Sequence, residues 1–484
     1  MEYLNYPLRD TFLDTLKKYP FEQLTDCDTV NLSFNIDGLQ LFKSSGKAMW
    51  PVLCAVHLKP ITVFPITLTC GNKRPTDLHF LDDMVADLND LQSSGLQHRE
   101  KTFKVNVLCI VCDAPAKALV RNTKLCSGYY GCDKCTQKGQ WFNRVTYQET
   151  EELTLRTDEA FRHQTQEEHH HGNTPLLNLP IDMVKAFPID YMHQACLGVM
   201  KKLLLIWSRG EKGCRMSVTQ IQEVSSRLLH LKPEIPSIFS RKPRGLEELE
   251  RWKATEFRQF MLYTGKVVLR GILRDDLYLH FLSFSVVMCI LVSSTTLKQY
   301  SQYAQQLLQY FVVRGRELYG KTFLVYNTHT MLHITADAVL FDGLDNCSAF
   351  KFESFLHTMK RMVRNGRCPL SQVVKRIEER KEEPLQVQKQ KITNSPKDRA
   401  FVLDSEEGCD VIDETEKNGC HLCRVYSNPQ PLFLEPCNSS IIGVFQYKNT
   451  TTTMRWIPCE TIKSIAMKTQ MGDKTIFMKI LHKL

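Results

Sequence analysis

The chain has 484 residues, 43% of them hydrophobic and 24% charged, which excludes a wholly disordered polymer and is more than a single compact core usually holds. With 62 Lys and Arg against 53 Asp and Glu, the formal charge is +9; this mild basic excess suits a polyanionic partner without requiring one. The first 19 residues lack the apolar segment of a signal peptide, so the 18 cysteines are expected as thiols or zinc ligands in a reducing compartment rather than as a disulfide framework.

Residues 1 to about 30 read as a short helical lead-in. Residues 30–36 alternate apolar and polar side chains and stop at Asp37-Gly38, which predicts a strand with an acid at its C-terminal end. Two further strands are expected over 52–57 and 61–69, closed by the turn-forming run Gly71-Asn72-Lys73-Arg74-Pro75. Helical spacing follows over 80–91. Residues 105–112 are apolar but for Asn106, as in a buried central strand, and end in Asp113-Ala114-Pro115. Residues 136–180 are polar, with a His patch at 169–171, and read as a solvated loop. From 183 to 327 the pattern is helical, most clearly over 197–207, 252–273 and 303–319. The most apolar stretch, 281–292, is well short of the ~20 residues needed to span a bilayer. It reads as a buried helix, and no membrane partner is expected.

Residues 354–383 have the pattern of two helices rich in Lys and Arg. The expected architecture is an α/β fold with a mixed sheet and flanking helices. Its main α/β domain, residues 1–135 and 328–383, is interrupted by a mainly helical insertion over 136–327. A linker over 384–424 and a small β-rich tail domain over 425–484 follow. An insertion of that size must fold as its own unit.

Asp37 and Asp113 each sit where a buried strand runs out, the position that favours ligand and catalytic groups in α/β sheets. If the two strands are neighbours, the carboxylates come within reach of shared divalent metals, which prefer hard oxygen ligands. An Asp after a strand is also a common turn residue or helix cap. A third acid is Glu353, in Phe350-Lys351-Phe352-Glu353-Ser354-Phe355, where three Phe residues argue against a simple solvated face. Its rival is Glu256, in Trp252-Lys253-Ala254-Thr255-Glu256-Phe257-Arg258, which has nearby basic residues to pair with.

Cys132 and Cys135 form a C-x-x-C, and His329 and His333 lie four apart, on one face if helical. Two thiolates and two imidazoles complete a tetrahedral structural zinc site. Such an ion would join the two ends of the helical insertion. Either pair alone has an ordinary explanation in core residues. A second C-x-x-C, Cys420 to Cys423, has no partner pair in the sequence and reads as ordinary tail cysteines.

Several stretches together resemble the En/Spm (CACTA) class of cut-and-paste transposases. They are Asn35-Ile36-Asp37-Gly38-Leu39-Gln40-Leu41-Phe42-Lys43-Ser44-Ser45, Cys112-Asp113-Ala114-Pro115-Ala116, Gly128-Tyr129-Tyr130-Gly131-Cys132-Asp133-Lys134-Cys135, Asp190-Tyr191-Met192-His193, the Trp252–Arg258 run and Phe350-Lys351-Phe352-Glu353. The resemblance implies an RNase H-like fold and a DDE triad of Asp37, Asp113 and Glu353 holding Mg²⁺ or Mn²⁺. It implies DNA as partner, a homo-oligomeric active complex and a nuclear location. It places His193 near the active site, touching DNA phosphate or an acid; a helix cap followed by a core histidine is the alternative for Asp190 and His193. The order is also similar to the catalytic core of the V(D)J recombinase, with a Cys pair 19 residues after Asp113 and a His pair 20 residues before Glu353, which supports zinc at Cys132, Cys135, His329 and His333. Full-length relatives usually carry a DNA-binding region before this core, whereas only about 30 residues precede the first strand here. A truncated or host-domesticated descendant that binds DNA or protein without catalysis is therefore the alternative to an active enzyme.

Residues 355–391 hold ten Lys or Arg against four Glu. Part of that run mixes signs and suits a solvated helix face. The unbalanced part is Lys360, Arg361, Arg364 and Arg367. Lys360 and Arg364 are one helical turn apart, so Lys360, Arg361 and Arg364 are expected to meet a DNA backbone and bind it without reading sequence.

Overall fold

The computed structural model describes residues 1–42, 46–381, 383–385, 395–413, 415–462 and 464–482. Lys43-Ser44-Ser45 of the first matching stretch, residues 386–394 and 414 of the expected linker, and Glu382, Lys389 and Lys391 of the basic run lie outside the described residues. The chain is mixed α/β and divides into two compact units, Met1–Tyr191 with Asn346–Gln388 and Met192–Asp345 with Lys389–Leu484.

Among the described residues, the first unit holds a seven-stranded mixed sheet. Its strands are β1 (Glu2–Asn5), β2 (Thr29–Ile36), β3 (Leu39–Gln40), β4 (Ala48–Val56), β5 (Thr62–Gly71), β6 (Leu96–His98) and β7 (Lys101–Val111). The order is β1-β5-β4-β2-β7-β6, with β3 paired to β4. β2, β4 and β5 form an antiparallel meander, and β7 returns parallel to β2. Alternation along β2 puts Val30, Leu32, Phe34 and Ile36 into one core, where they meet Phe12 of helix Leu8–Leu16 and Met84, Leu88 and Leu91 of helix Asp82–Ser94. The opposite positions, Ser33 and Asn35, are buried too, as expected of a central strand covered on both faces. The lead-in expected to be helical begins instead with β1. Its Glu2-Tyr3-Leu4-Asn5 is too short for periodicity to reveal, and it is held by pairing with β5.

Residues 136–191 belong to the first unit and carry little helix, so the helical segment starts at Met192 rather than at 136. The His patch is not wholly solvated. His169 is fully buried, with Nδ1 2.7 Å from the Tyr130 carbonyl oxygen, and burial, followed by Arg156 and Arg121, pushes its pKa down to about 2.

The second unit combines helices between Met192 and Leu340 with an eight-stranded antiparallel sheet running from Ala400–Val402 to Lys474–Lys479. Helix Asp275–Val292 is long and apolar enough to cross a membrane by length and composition, and 78% of it is buried inside the protein. Three strands, Ala400–Val402, Gly408–Val411 and Cys420–Tyr426, lie where a linker was expected. Polar turns such as Asp404-Ser405-Glu406-Glu407 masked their short apolar cores. Nor is the sheet a separate tail. The Tyr263 hydroxyl lies 2.6 Å from His482 Nδ1 and accepts from Leu481 N at 3.0 Å, while Tyr303 donates to the Pro436 carbonyl at 2.8 Å. All 18 cysteines are unbridged.

Replacing Tyr263 by Phe leaves buried polar groups at the C-terminal end without their partner. It is expected to cost about 1–3 kcal/mol. Hydrogen exchange should register the loss in the helices and the C-terminal sheet together; protection lost from the sheet alone would argue for an independent tail.

Candidate metal centre

The parallel pairing of β2 with β7 runs in register to Asn35 opposite Val111. Asp37 and Asp113 each follow two residues later, so the two acids leave neighbouring strands at the same level. The Asn35 side-chain amide donates to the Val111 carbonyl at 2.9 Å and fixes that end of the pairing. Asp37 is half-buried, and its Oδ1 accepts from Gly38 N at 2.6 Å. Asp113, also half-buried, uses Oδ1 to accept from Ala116 N at 2.7 Å and caps helix Ala114–Val120. The ordinary capping role is therefore real, and it engages one of the two oxygens.

Glu353 stands in the first turn of helix Phe350–Met362. Phe352, Leu356, Met359 and Met362 bury that helix, which packs against β5. Of the three flanking Phe residues only Phe352 is fully buried; Phe350 and Phe355 are half-buried. Carboxylate oxygens of Glu353 and Asp37 lie within 4.8 Å of each other. Lys360 of the same helix donates to the Gln40 carbonyl at 2.5 Å, and Lys47 donates to the Gly366 carbonyl at 3.2 Å. These bonds tie the helix to the turn that follows Asp37. The close pair does not include Asp113.

Glu256, the rival, is a structural group. It is buried, paired with Arg244 at 2.7 Å, and its Oε2 accepts from Lys253 N at 2.8 Å. His193 is half-buried in the π-helical segment Met192–Met200.

Cys132 and Cys135 sit in a tight turn. A Cβ on Gly131 would stand 2.3 Å from the Leu125 carbonyl oxygen, so only glycine fits before the first cysteine. The two Sγ atoms are 3.5 Å apart and both residues are buried. The hydrogen bond between the sulfurs holds the Cys135 thiol below its usual range; burial opposes this, and the Gln137 N–H and Arg156 assist it. His329 and His333 are buried as well, with their Nε2 atoms 3.4 Å apart. A tetrahedral zinc, with bonds of about 2.3 Å to sulfur and about 2.0–2.1 Å to nitrogen, sets its ligand atoms roughly 3.3–3.8 Å apart. Each pair matches one edge of that tetrahedron. Each pair, taken by itself, offers two buried donors of a kind that zinc accepts. Cys420 and Cys423 differ: they lie in one strand, three residues apart, and so point to opposite faces.

Sequence reasoning missed the ion pair beneath the cysteine turn. Lys117, in the helix capped by Asp113, bonds Asp133 at 2.8 Å with both side chains almost fully buried. Burial penalises the Asp133 charge, but Lys117, Lys134 and Arg121 outweigh it and hold that carboxyl well below the usual range. A charged residue inside the C-x-x-C and a Lys four residues after Asp113 were the available signals.

The basic run is placed differently from the helical expectation. Helix Phe350–Met362 ends before Arg364, and Val363 is extended. Asn365-Gly366 and Pro369 break the helix, and Gln372 catches the loop, accepting from Arg364 N at 2.9 Å and donating to the Arg367 carbonyl at 2.6 Å. Lys360 and Arg364 therefore do not share a helix face. Arg361, Arg364 and Arg367 are exposed.

No family model matches the chain, and no curated protein matches it.

Replacing Lys117 by Met strands the buried Asp133 carboxylate and is expected to cost roughly 3–5 kcal/mol. Because the folded-state carboxyl is depressed, the pair's contribution is full above the ordinary Asp range and is lost only as pH falls below about 3.9. Urea unfolding at pH 7 and pH 3 checks both statements; an equal difference between wild type and variant at the two pH values would contradict the second.

Proposed function

We propose that the chain is a DDE-type DNA transposase, a nuclease and strand transferase whose first unit is an RNase H-like catalytic core. The observation that carries this reading is the convergence of Asp37 and Glu353 within 4.8 Å, at strand ends where Asp113 leaves the neighbouring parallel strand. Meander-plus-parallel-strand order, with β2 central, agrees with that core.

The donor chemistry fits Mg²⁺ or Mn²⁺, which take carboxylate oxygens in preference to nitrogen or sulfur. When bound, such ions supply Lewis acidity toward a phosphodiester and lower the pKa of an attacking water. The chain's own part is placement. Asp37 is fixed by its strand, Asp113 by the helix it caps, and Glu353 by a helix bonded to β3 through Lys360. His193 is assigned to hold DNA phosphate or a catalytic acid beside them. Arg361 and Arg364, with Lys360, are assigned to the DNA backbone, in a nuclear, homo-oligomeric complex.

Zinc is assigned to Cys132, Cys135, His329 and His333 as one structural ion. A closed site needs four ligands, and neither pair completes one alone.

One observation favours a second reading, a transposase-derived protein that binds DNA or protein without cutting. Asp113 Oδ1 is already committed to its helix cap.

The full chain should nick or join DNA with Mn²⁺ or Mg²⁺, and Asp37→Asn, Asp113→Asn and Glu353→Gln should each lower the rate at least about 100-fold, because acids acting as a unit fail together. Binding without cleavage in the wild type would select the second reading. Cys132→Ser should remove most of about one zinc per chain and destabilise the fold, while Cys420→Ser should not; full zinc content in Cys132→Ser overturns the zinc assignment. Substituting Lys360, Arg361 and Arg364 by Ala together should weaken DNA binding for all sequences alike and flatten its salt dependence. Unchanged affinity at low and moderate salt would refute the basic surface.

A further inference from the structure

Asp190 is one of the few fully buried acids of the first unit, with 1% of its surface exposed. Its Oδ1 accepts from Ala349 N at 2.9 Å. Ala349 is the N-cap residue of helix Phe350–Met362, and its carbonyl accepts from Glu353 N at 2.8 Å. A helix leaves its first N–H groups without partners, and its N-terminus favours negative charge. Ala cannot satisfy that end with its own side chain. Asp190 does so from 159 residues away in sequence.

The segment leading to Asp190 is itself held. The Ala186 carbonyl accepts from Ile110 N in β7 at 2.7 Å, the Val184 carbonyl accepts from Lys134 Nζ at 3.2 Å, and the Pro188 carbonyl accepts from Lys117 Nζ at 2.8 Å. The neighbouring Tyr191 ring packs on Phe350, with centroids 5.5 Å apart. Asp190 is thus a fixed post tied to the strand that ends in Asp113, and it grips the turn from which Glu353 projects.

We propose that Asp190 is a positioning residue that sets the distance of Glu353 from Asp37 and Asp113 by capping the Glu353 helix from the β7 side. The proposal rests on the reading of Glu353 as a metal ligand, but the capping claim is measurable without metal.

The test uses the full chain and four variants: Asp190→Ala, Asp190→Asn, Glu353→Gln and the double variant Asp190→Ala with Glu353→Gln. Asn keeps an accepting oxygen. In metal-free protein, hydrogen exchange of amides 350–353 should speed at least tenfold in Asp190→Ala, with Asp190→Asn much closer to wild type. Exchange unchanged in Asp190→Ala overturns the proposal. With Mn²⁺ alone as probe, read by its paramagnetic resonance, affinity should fall at least tenfold in Asp190→Ala and recover in Asp190→Asn. In the Glu353→Gln background, Asp190→Ala should have little further effect, because both act through one carboxylate. Equal additional losses in both backgrounds would mean that Asp190 does not act through Glu353, which also overturns the proposal. Should Asp190→Ala fail to fold, Asp190→Glu replaces it; its longer side chain shifts the cap and carries the same expectations in weaker form. If wild type takes up no Mn²⁺ while the exchange result holds, the metal reading fails and the capping role stands.

Discussion

Asn35 faces Val111 across two parallel strands that are separated by the whole β4–β5 meander and helix Asp82–Ser94. Most of the site depends on that pairing. Parallel neighbours end at the same edge, so the acids that follow them, Asp37 and Asp113, emerge side by side. An antiparallel arrangement would have sent them to opposite edges. The pairing is stable because both faces of β2 are covered: Val30, Leu32, Phe34 and Ile36 on one side, Ser33 and Asn35 on the other. Burial of four large apolar side chains, at roughly 1.5–3 kcal/mol each, outweighs the modest intrinsic weakness of parallel pairing.

The third acid reaches this edge by different means. Helix Phe350–Met362 has its own apolar stripe, but a stripe fixes only which face points inward. Its placement along and about its axis depends on polar bonds at both ends: Asp190 at the first turn, and Lys360 to Gln40 in the last. Burial sets affinity for the sheet, and these few directional bonds set where Glu353 stands. The helix after Asp113 follows the same logic, with its cap at one end and Lys117 bonded to Asp133 beneath the cysteine turn.

Much of the first unit was legible in the sequence, because β2, β4, β5 and β7 are each long enough to display their pattern. Asp37 and Asp113 stood out as acids at strand ends, and Cys132 with Cys135 and His329 with His333 stood out by spacing. The Asp190 bond was not legible, since nothing local distinguishes a residue that caps its own helix from one that caps a helix 159 residues on. Glu256 was the rival to Glu353 in the sequence, and the basic partner that its surroundings suggested is Arg244. Lys360 and Arg364 are separated by a helix end at Met362, just before the helix-breaking Asn365-Gly366. The C-terminal sheet was half hidden because strands as short as Ala400–Val402 gain their stability from neighbours rather than from periodicity.

A shared metal site at Asp37, Asp113 and Glu353 is the claim on which the enzymatic account stands. Crystals of the full chain soaked in Mn²⁺ and measured at the manganese absorption edge test it most directly. The account predicts an anomalous peak about 2.1–2.2 Å from oxygens of Asp37 and Glu353, with the second oxygen of Asp113 turned toward the same centre. No peak there at millimolar Mn²⁺, with Asp113 engaged only as a helix cap, would contradict it.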